Sequence, residues 1–357
     1  MSSPFLSIHL LLHLLLFTST ALSSFICNST TTATCSSLIG YVPDNETSLS
    51  ALQSLFQTTL LSLVGANSLP LSTPSSYTVA ANKPILISIP CNCSNGNGSS
   101  AHVPTYTVKA NDTLDNIAIN KFGRFVTYQQ IATANGIPNP NLITVGQVLW
   151  IPLPCSCDPV DGDERVHLAH KVAPQSSLDQ IAAEFGVNKS TVMRLNGIND
   201  SATLQASQIL DVPLRACSSS ISSKSLDSGL RLSDGSYAVT ANGCVLCNCT
   251  SSFRVSCNLQ PNGNTSVCPA ARKCGNLEFG KSSSSGCEKT TCDYAGYTNS
   301  TNLSILTTNY VDSSTCSSAG GGSPTSSPSS HAHAVGMNLS RALIFIHILL
   351  GTLALRH

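Results

Sequence analysis

The chain has 357 residues, 18 basic and 18 acidic side chains, and a charged fraction of only 10%. With no basic stripe to neutralise phosphates, nucleic acid is excluded as an expected partner. Its sixteen cysteines, an even number, read as a disulfide framework of an oxidising compartment rather than as thiol chemistry.

At the N-terminus a leucine-dominated run, Phe5 to Phe17, precedes the small-residue stretch Ser19 to Ser24. Ala21-Leu22-Ser23 satisfies the small-x-small rule, which predicts a signal peptide over 1–23 with the cut after Ser23. The run is short of the ~20 residues a membrane span needs. The sequons Asn28, Asn45, Asn92, Asn97, Asn111, Asn188, Asn199, Asn248, Asn264, Asn299 and Asn302 are candidate glycan acceptors and fit an extracellular surface.

Two segments downstream repeat each other. YTVKANDTLDNIA, Tyr106 to Ala118, matches HKVAPQSSLDQIA, His170 to Ala182. Asn135-Gly136-Ile137 matches Asn196-Gly197-Ile198, and both copies close on an apolar residue and proline, Ile151-Pro152 and Val212-Pro213. Tyr106 to Val108 alternates as a short strand. Asp112 and Thr113 offer side-chain oxygens to the free N–H groups of a helix carrying Leu114, Ile117, Ala118 and Phe122 at helical spacing, ended by Gly123. Tyr128 to Asn135 predicts a second helix, and Val148 to Ile151 a closing strand. Each unit is thus βααβ, two helices on a two-stranded antiparallel sheet, too small to bury much core without staples. A more divergent copy comes first: Thr47 to Leu63 is helical in pattern, Ala66-Asn67-Ser68-Leu69-Pro70 stands where Asn-Gly-Ile stands, and Ile85 to Ile89 with Pro90 closes it.

Cys91-Asn92-Cys93 and Cys155-Ser156-Cys157 separate the copies. Cysteines one residue apart do not bridge each other without severe strain, so each must reach elsewhere. Ten further cysteines, Cys217 to Cys316, mark a second domain with few apolar residues, in which bridges are expected to replace a core. Cys244-x-x-Cys247-x-Cys249 resembles half a zinc knuckle, but an oxidising compartment argues for disulfides, so no metal and no cofactor is expected.

The C-terminus carries an apolar run, Ala342 to Leu355, behind a Ser/Gly/Pro-rich stretch, Ser317 to Ser340. Small residues, a polar spacer and an apolar tail make the GPI-attachment pattern, with Ser330 as the expected site and Gly320 as a second candidate. A short tail anchor or a buried C-terminal helix are the alternatives. Only Arg356 and His357 follow, so no cytoplasmic domain is expected.

The strand, the Asn-Asp-Thr-Leu turn, Asn-Gly-Ile and the closing Gly146-Gln147-Val-Leu-Trp-Ile-Pro152 resemble the lysin motif, LysM. Three such copies separated by Cys-x-Cys resemble the ectodomains of plant LysM receptors. With a Cys-rich segment, a GPI signal and no kinase, the chain resembles the plant LysM receptor-like proteins of the chitin-elicitor-binding-protein group. The expected fold is α+β: LysM 1 at 24–90, LysM 2 at 105–152, LysM 3 at 166–213, a Cys-rich domain at 217–316, a linker at 317–330 and a removed propeptide at 331–357. The family pattern implies bridges Cys27–Cys93, Cys35–Cys157 and Cys91–Cys155.

The resemblance further implies binding of N-acetylglucosamine oligomers between the loop after the first strand and the loop before the last. In the second copy these hold Ala110, Asn111, Asp112 and Thr113, then Gly136, Ile137, Pro138, Asn139, Leu142 and Ile143. Amides and small polar groups would bond acetamido and hydroxyl groups over an apolar floor, although Ile137 and Leu142 would equally serve as core. The third copy departs from the pattern, with Pro174-Gln175-Ser176-Ser177 at the turn and Ser207 at Gly146. A glycan on Asn111 would crowd the groove. Trp150 alternates with Leu149 and Ile151, so it faces away from its own helices, which suits packing between modules or a stacking platform for sugar.

No catalytic residues are expected. The rival reading, a wall-glycan hydrolase, needs two carboxylates at the bond, and Asp161, Asp163 and Glu164 read as a solvated turn. His167 and His170 face opposite sides of a strand, and neither Gly-x-Ser-x-Gly nor His-Glu-x-x-His occurs. A passive wall-binding protein is the third reading. The expected partners are N-acetylglucosamine-containing glycans, a transmembrane LysM receptor kinase, a second copy of the chain and the membrane through the GPI lipid. The NGIPNPNL and CSCD stretches lean towards peptidoglycan, with chitin also bound.

Overall fold

The computed structural model describes residues 25–27, 33–94, 96–260, 268–269, 272–299 and 302–313. The expected signal peptide, Ser330 and the tail, and the sequons Asn28 and Asn264 lie outside the described residues.

Three βααβ units follow one another. In the first, β1 (Ala33–Tyr41) and β4 (Ile85–Ser94) pair antiparallel around α1 (Leu49–Phe56) and α2 (Leu60–Ala66), with β2 (Thr47–Ser48) and β3 (Thr78–Val79) as a small side ribbon. In the second, β6 (Thr105–Thr107) pairs with β7 (Val148–Trp150); between them run α3 (Leu114–Asn116), extended by a π-helical turn over Ile117–Lys121, and α4 (Tyr128–Ala134). In the third, β8 (Arg165–Lys171) and β9 (Ile209–Arg215) flank α5 (Leu178–Phe185) and α6 (Lys189–Leu195).

Each of the helices α1 to α6 starts on a capping side chain. Ser48, Thr59, Thr113, Thr127, Ser177 and Asn188 each accept a hydrogen bond from a first-turn amide, and Thr127 with Gln130 and Ser177 with Gln180 complete capping boxes. Asp112 does not cap α3 as the sequence predicts; Thr113 alone does so.

The second helix of each unit ends on an asparagine. Asn67, Asn135 and Asn196 donate back to Leu63, Ile131 and Val192, then grip the closing strand at Leu86, Trp150 and Asp211.

Only the second unit keeps an isolated two-stranded sheet. The strands of the first and third merge through a parallel pairing of β1 with β8, Leu38 opposite Leu168, giving the order β5-β4-β1-β8-β9, with β5 spanning Asn97–Ser100. Alternation along β1 explains this: Ile39 packs into the core of the first two units, while Leu38 packs with Val166, Leu168 and Leu210 of the third. The first two units share one core, in which Phe56 meets Phe122 edge-on at 5.9 Å. Disulfides Cys27–Cys93, Cys35–Cys157 and Cys91–Cys155 staple the block.

The cysteine-rich segment forms two three-stranded sheets. One joins β10 (Tyr237–Thr240), β11 (Val245–Cys249) and β12 (Val255–Leu259); the other joins β13 (Ser282–Ser285), β14 (Glu288–Thr298) and β15 (Ser304–Asp312). Bridges Cys217–Cys249, Cys244–Cys268, Cys247–Cys257 and Cys274–Cys292 hold it, so Cys244, Cys247 and Cys249 are disulfide sulfurs and not zinc thiolates. Bridges do not replace the core altogether, because Val245, Tyr294 and Ile305 are buried together among them. Residues 284–289 and 312–313 belong to a second, small unit.

This domain docks on the first unit. Tyr237 donates to the Leu69 carbonyl at 2.6 Å, Ser68 donates to the Gly235 carbonyl at 2.6 Å, and the Ser36 amide to the Gly229 carbonyl at 2.9 Å. The approach is close enough that a Cβ on Gly65 would lie 2.1 Å from the Tyr237 carbonyl oxygen.

Candidate functional site

In the second unit the hairpin register sets what meets what. Thr107 pairs with Val148, and beyond them Val108 donates to the Gln147 carbonyl and Gly146 to the Val108 carbonyl, at 2.9 and 2.8 Å. The loop 109–113 therefore leaves the sheet at the end where the turn 144–147 arrives. Asn111 takes a left-handed conformation, φ 67°, which asparagine tolerates. Asp112 closes this loop: its carboxylate accepts from the Lys109 amide at 2.8 Å and from the Tyr106 hydroxyl at 2.9 Å. Desolvation first, then Asp112, pushes the Tyr106 hydroxyl up to about 12, so it stays a donor at any physiological pH.

The second loop begins at the other end of β7. Asn135 grips Trp150 there, Gly136 turns the chain with φ 61°, and Ile137 donates back to Ala132. Asn139 forms a local turn by accepting from the Asn141 amide through its side chain and from the Leu142 amide through its carbonyl. Thus the structure brings 110–113 against 144–147, while Gly136 and Ile137 lie towards the opposite end of the strand.

Exposure divides the predicted residues. Ala110, Asn111, Thr113, Gly136, Pro138, Asn139 and Leu142 are exposed; Asp112, Ile137 and Ile143 are half-buried. Ile137 and Ile143 pack onto the shared core. Leu142 is 72% exposed, and two residues that the sequence reading missed join it: Val145 at 70% and Val148 at 61%. Val148 had a signal, since strand alternation with core Leu149 turns it outward. Val145, in a turn, had none.

The three units differ at this face. In the third, Gln175 and Ser207 repeat the left-handed positions of Asn111 and Gly146, so the backbone frame persists. The repeat, however, puts Thr203 and Ala206 where Leu142 and Val145 stand, and Ile198 is buried. In the first unit the corresponding Ser68 and Leu69 are engaged by Gly235 and Tyr237 of the cysteine-rich domain. The exposed aliphatic side chains Leu142, Val145 and Val148 are therefore particular to the second unit.

Several ionisable groups away from this face are paired. Asp161 pairs with Arg194 at 2.6 Å, Asp163 with Arg165 at 3.1 Å, and Glu164 with Arg231. His167 is buried, with Nδ1 on both Asp211 oxygens at 2.8 and 2.9 Å and Nε2 on the Asp158 carbonyl at 2.8 Å. Burial pushes His170 down to about 4 beside Phe185. Trp150 packs against His102, in the stretch joining the first two units, with ring centroids 4.7 Å apart and planes tilted by 37°.

Comparison with known proteins adds three findings. A LysM domain model matches residues 106–152 and 170–213. The chitin elicitor-binding protein of rice (Oryza sativa subsp. japonica) is 44% identical over 303 residues, 84% of each chain, and LysM domain-containing GPI-anchored protein 2 of Arabidopsis thaliana is 44% identical over 285 residues, 78% of this chain and 80% of that one. Among solved structures, the ectodomain of a receptor like kinase aligns at 22% identity and a TM-score of 0.43, over 51% of this chain and 92% of that chain.

Proposed function

The chain belongs to the family of the rice chitin elicitor-binding protein and the Arabidopsis LysM domain-containing GPI-anchored proteins, and from that premise we propose that it is a non-catalytic cell-surface receptor for N-acetylglucosamine oligomers. The face of the second unit carries the reading. Loop amides and the small polar side chains of Asn111, Thr113 and Asn139 suit acetamido and hydroxyl groups, and exposed Leu142, Val145 and Val148 suit the N-acetyl methyl and the apolar face of a sugar ring.

The named relatives support chitin oligomers as the first ligand to test, with peptidoglycan fragments as the second. They also support attachment to the outer face of the plasma membrane through a GPI lipid, for which the sequence pattern offers Ser330 as the site and a signal-peptide cut after Ser23. A lipid-anchored ectodomain signals through a transmembrane partner, and similarity to chitin elicitor receptor kinase 1 of Arabidopsis thaliana, 29% over 118 residues, supports a LysM receptor kinase in that role. Pairing of two copies along one long glycan and a part in innate immunity complete the proposal.

The hydrolase reading is weaker, because each acid of the 161–164 loop is held by an arginine, whereas a glycosidase needs two carboxylates at the bond. The test is calorimetric titration of the glycosylated ectodomain, 24–330, with N-acetylglucosamine octamer and soluble peptidoglycan fragments, followed by mass analysis of the recovered sugar. Binding with intact sugar supports a receptor; shortened sugar makes the protein a hydrolase; no binding to either glycan removes the proposal. Sedimentation with the octamer tests the pairing, which fails if the ectodomain stays monomeric.

A further inference from the structure

A second cleft lies between the five-stranded sheet and the cysteine-rich domain. Two cavities of about 210 and 490 Å³ share Ser36, Thr59, Ser62, Ser88 and Leu230 in their walls, so they lie side by side. The larger one alone falls within the ~300–1,000 Å³ range of small-ligand sites, which favour domain interfaces.

Strand alternation makes its floor polar. Ile39 and Ile87 point into the core, which leaves Ser36 and Ser88 on the opposite face. The register, Ser36 opposite Pro90 and Leu38 opposite Ser88, makes the two serines diagonal neighbours. Ser62 of α2 adds a third hydroxyl from the side wall. Among the described residues none hydrogen-bonds to these three hydroxyls, each of which offers one donor and two acceptor positions.

The charges in the walls are already taken. Asp227 accepts from Thr240 at 2.7 Å, from Tyr294 at 2.8 Å and from Ser225; Arg231 donates to the Cys157 and Arg165 carbonyls at 2.9 and 3.2 Å and pairs with Glu164. Leu230 and Tyr237 add apolar surface. A ligand here meets uncommitted hydroxyls, short apolar patches and no free charge. Such walls offer an anion or a cation no uncommitted counter-charge, and they fit a neutral polyhydroxylated chain.

We propose that this cleft is a second carbohydrate site, which holds a neutral oligosaccharide independently of the second unit. Such a chain comes from outside or from the protein's own N-linked glycans, and the test separates the two. The glycosylated ectodomain carrying Leu142→Asp, to disable the first face, is titrated with laminarihexaose, cellohexaose and N-acetylglucosamine hexamer, before and after enzymatic deglycosylation.

The expected result is binding of at least one hexasaccharide, weakened tenfold or more by Ser62→Trp, which fills the cleft, and by Ser36→Ala with Ser88→Ala, which removes hydroxyls without adding bulk. Binding that appears only after deglycosylation identifies the native occupant as the chain's own glycan. The proposal is overturned if none of the three sugars binds in either state, or if binding is unchanged in both cleft variants while they remain folded. Failure of the second-unit reading looks different: in a protein whose cleft is filled by Ser62→Trp, adding Leu142→Asp would then leave the binding of N-acetylglucosamine hexamer unchanged.

Discussion

The side-chain amide of Asn135 brackets the peptide of Trp150, donating to its carbonyl and accepting from its amide, both at 2.8 Å. The same group also returns to the Ile131 carbonyl at 2.8 Å. One residue thus ends α4, turns the chain into the loop at Gly136, and fixes the closing strand beneath it. Asn67 and Asn196 repeat the arrangement with Leu86 and Asp211.

Asn135→Ala leaves the Trp150 amide and two carbonyls without these partners. At ~1 kcal/mol per lost bond, with more for any group left buried, it is expected to destabilise the second unit by about 2–4 kcal/mol. Thermal denaturation gives the total, and hydrogen exchange should show faster exchange at Trp150 before any other strand position. An Asn135→Ala protein as stable as the parent would remove the asparagine from the account.

His167 predicts a pH dependence. Its two partners, the Asp211 carboxylate and the Asp158 carbonyl, are both acceptors, so both ring nitrogens donate and the ring is an imidazolium. Burial alone pulls its pKa down and Arg231 adds to that, but the charge and hydrogen bonds of Asp211, with the Asp158 carbonyl, outweigh both and hold it above the ordinary value. A pKa raised in the folded state contributes stability that is full below the unfolded value, about 6.5, and is lost as pH rises through the folded value. The melting temperature should therefore fall on going from mildly acidic to alkaline pH, and Asp211→Asn should flatten that slope. A melting temperature that rises over the same range contradicts this assignment.

Gly65 predicts the tightness of the domain contact. An alanine Cβ there would meet a backbone carbonyl, that of Tyr237, at 2.1 Å, and backbone does not give way as a side-chain tip does. Gly65→Ala should cost about 1–3 kcal/mol by overpacking and speed hydrogen exchange in β10. Unchanged exchange there would mean that β10 does not rest on α2.

Much of this fold was legible because it is local and repeated. The βααβ order, the capping residue Thr113 and the outward turn of Trp150 all follow from short-range pattern. The union of the first and third sheets did not follow. The Leu38–Leu168 pairing joins strands far apart in sequence, and nothing in the alternation of β1 says which strand its second face will meet. The docking of Tyr237 on Leu69 was hidden for the same reason. At the candidate site the loops were legible, but their internal division was not. Asp112, read as a helix cap, serves the loop through Tyr106 and Lys109, and Val145 is exposed because a turn, not a strand, carries it.

The central claim, that sugar lies on the second unit, is tested most directly at Leu142. This side chain is 72% exposed, so aspartate there should leave the fold intact, unlike substitutions at Ile137 or Ile143, which touch the core. Calorimetric titration of the Leu142→Asp ectodomain with N-acetylglucosamine octamer should show affinity reduced tenfold or more, a loss of about 1.4 kcal/mol or greater, at an unchanged melting temperature. Undiminished affinity in a folded Leu142→Asp protein would contradict the account and move the sugar off this face.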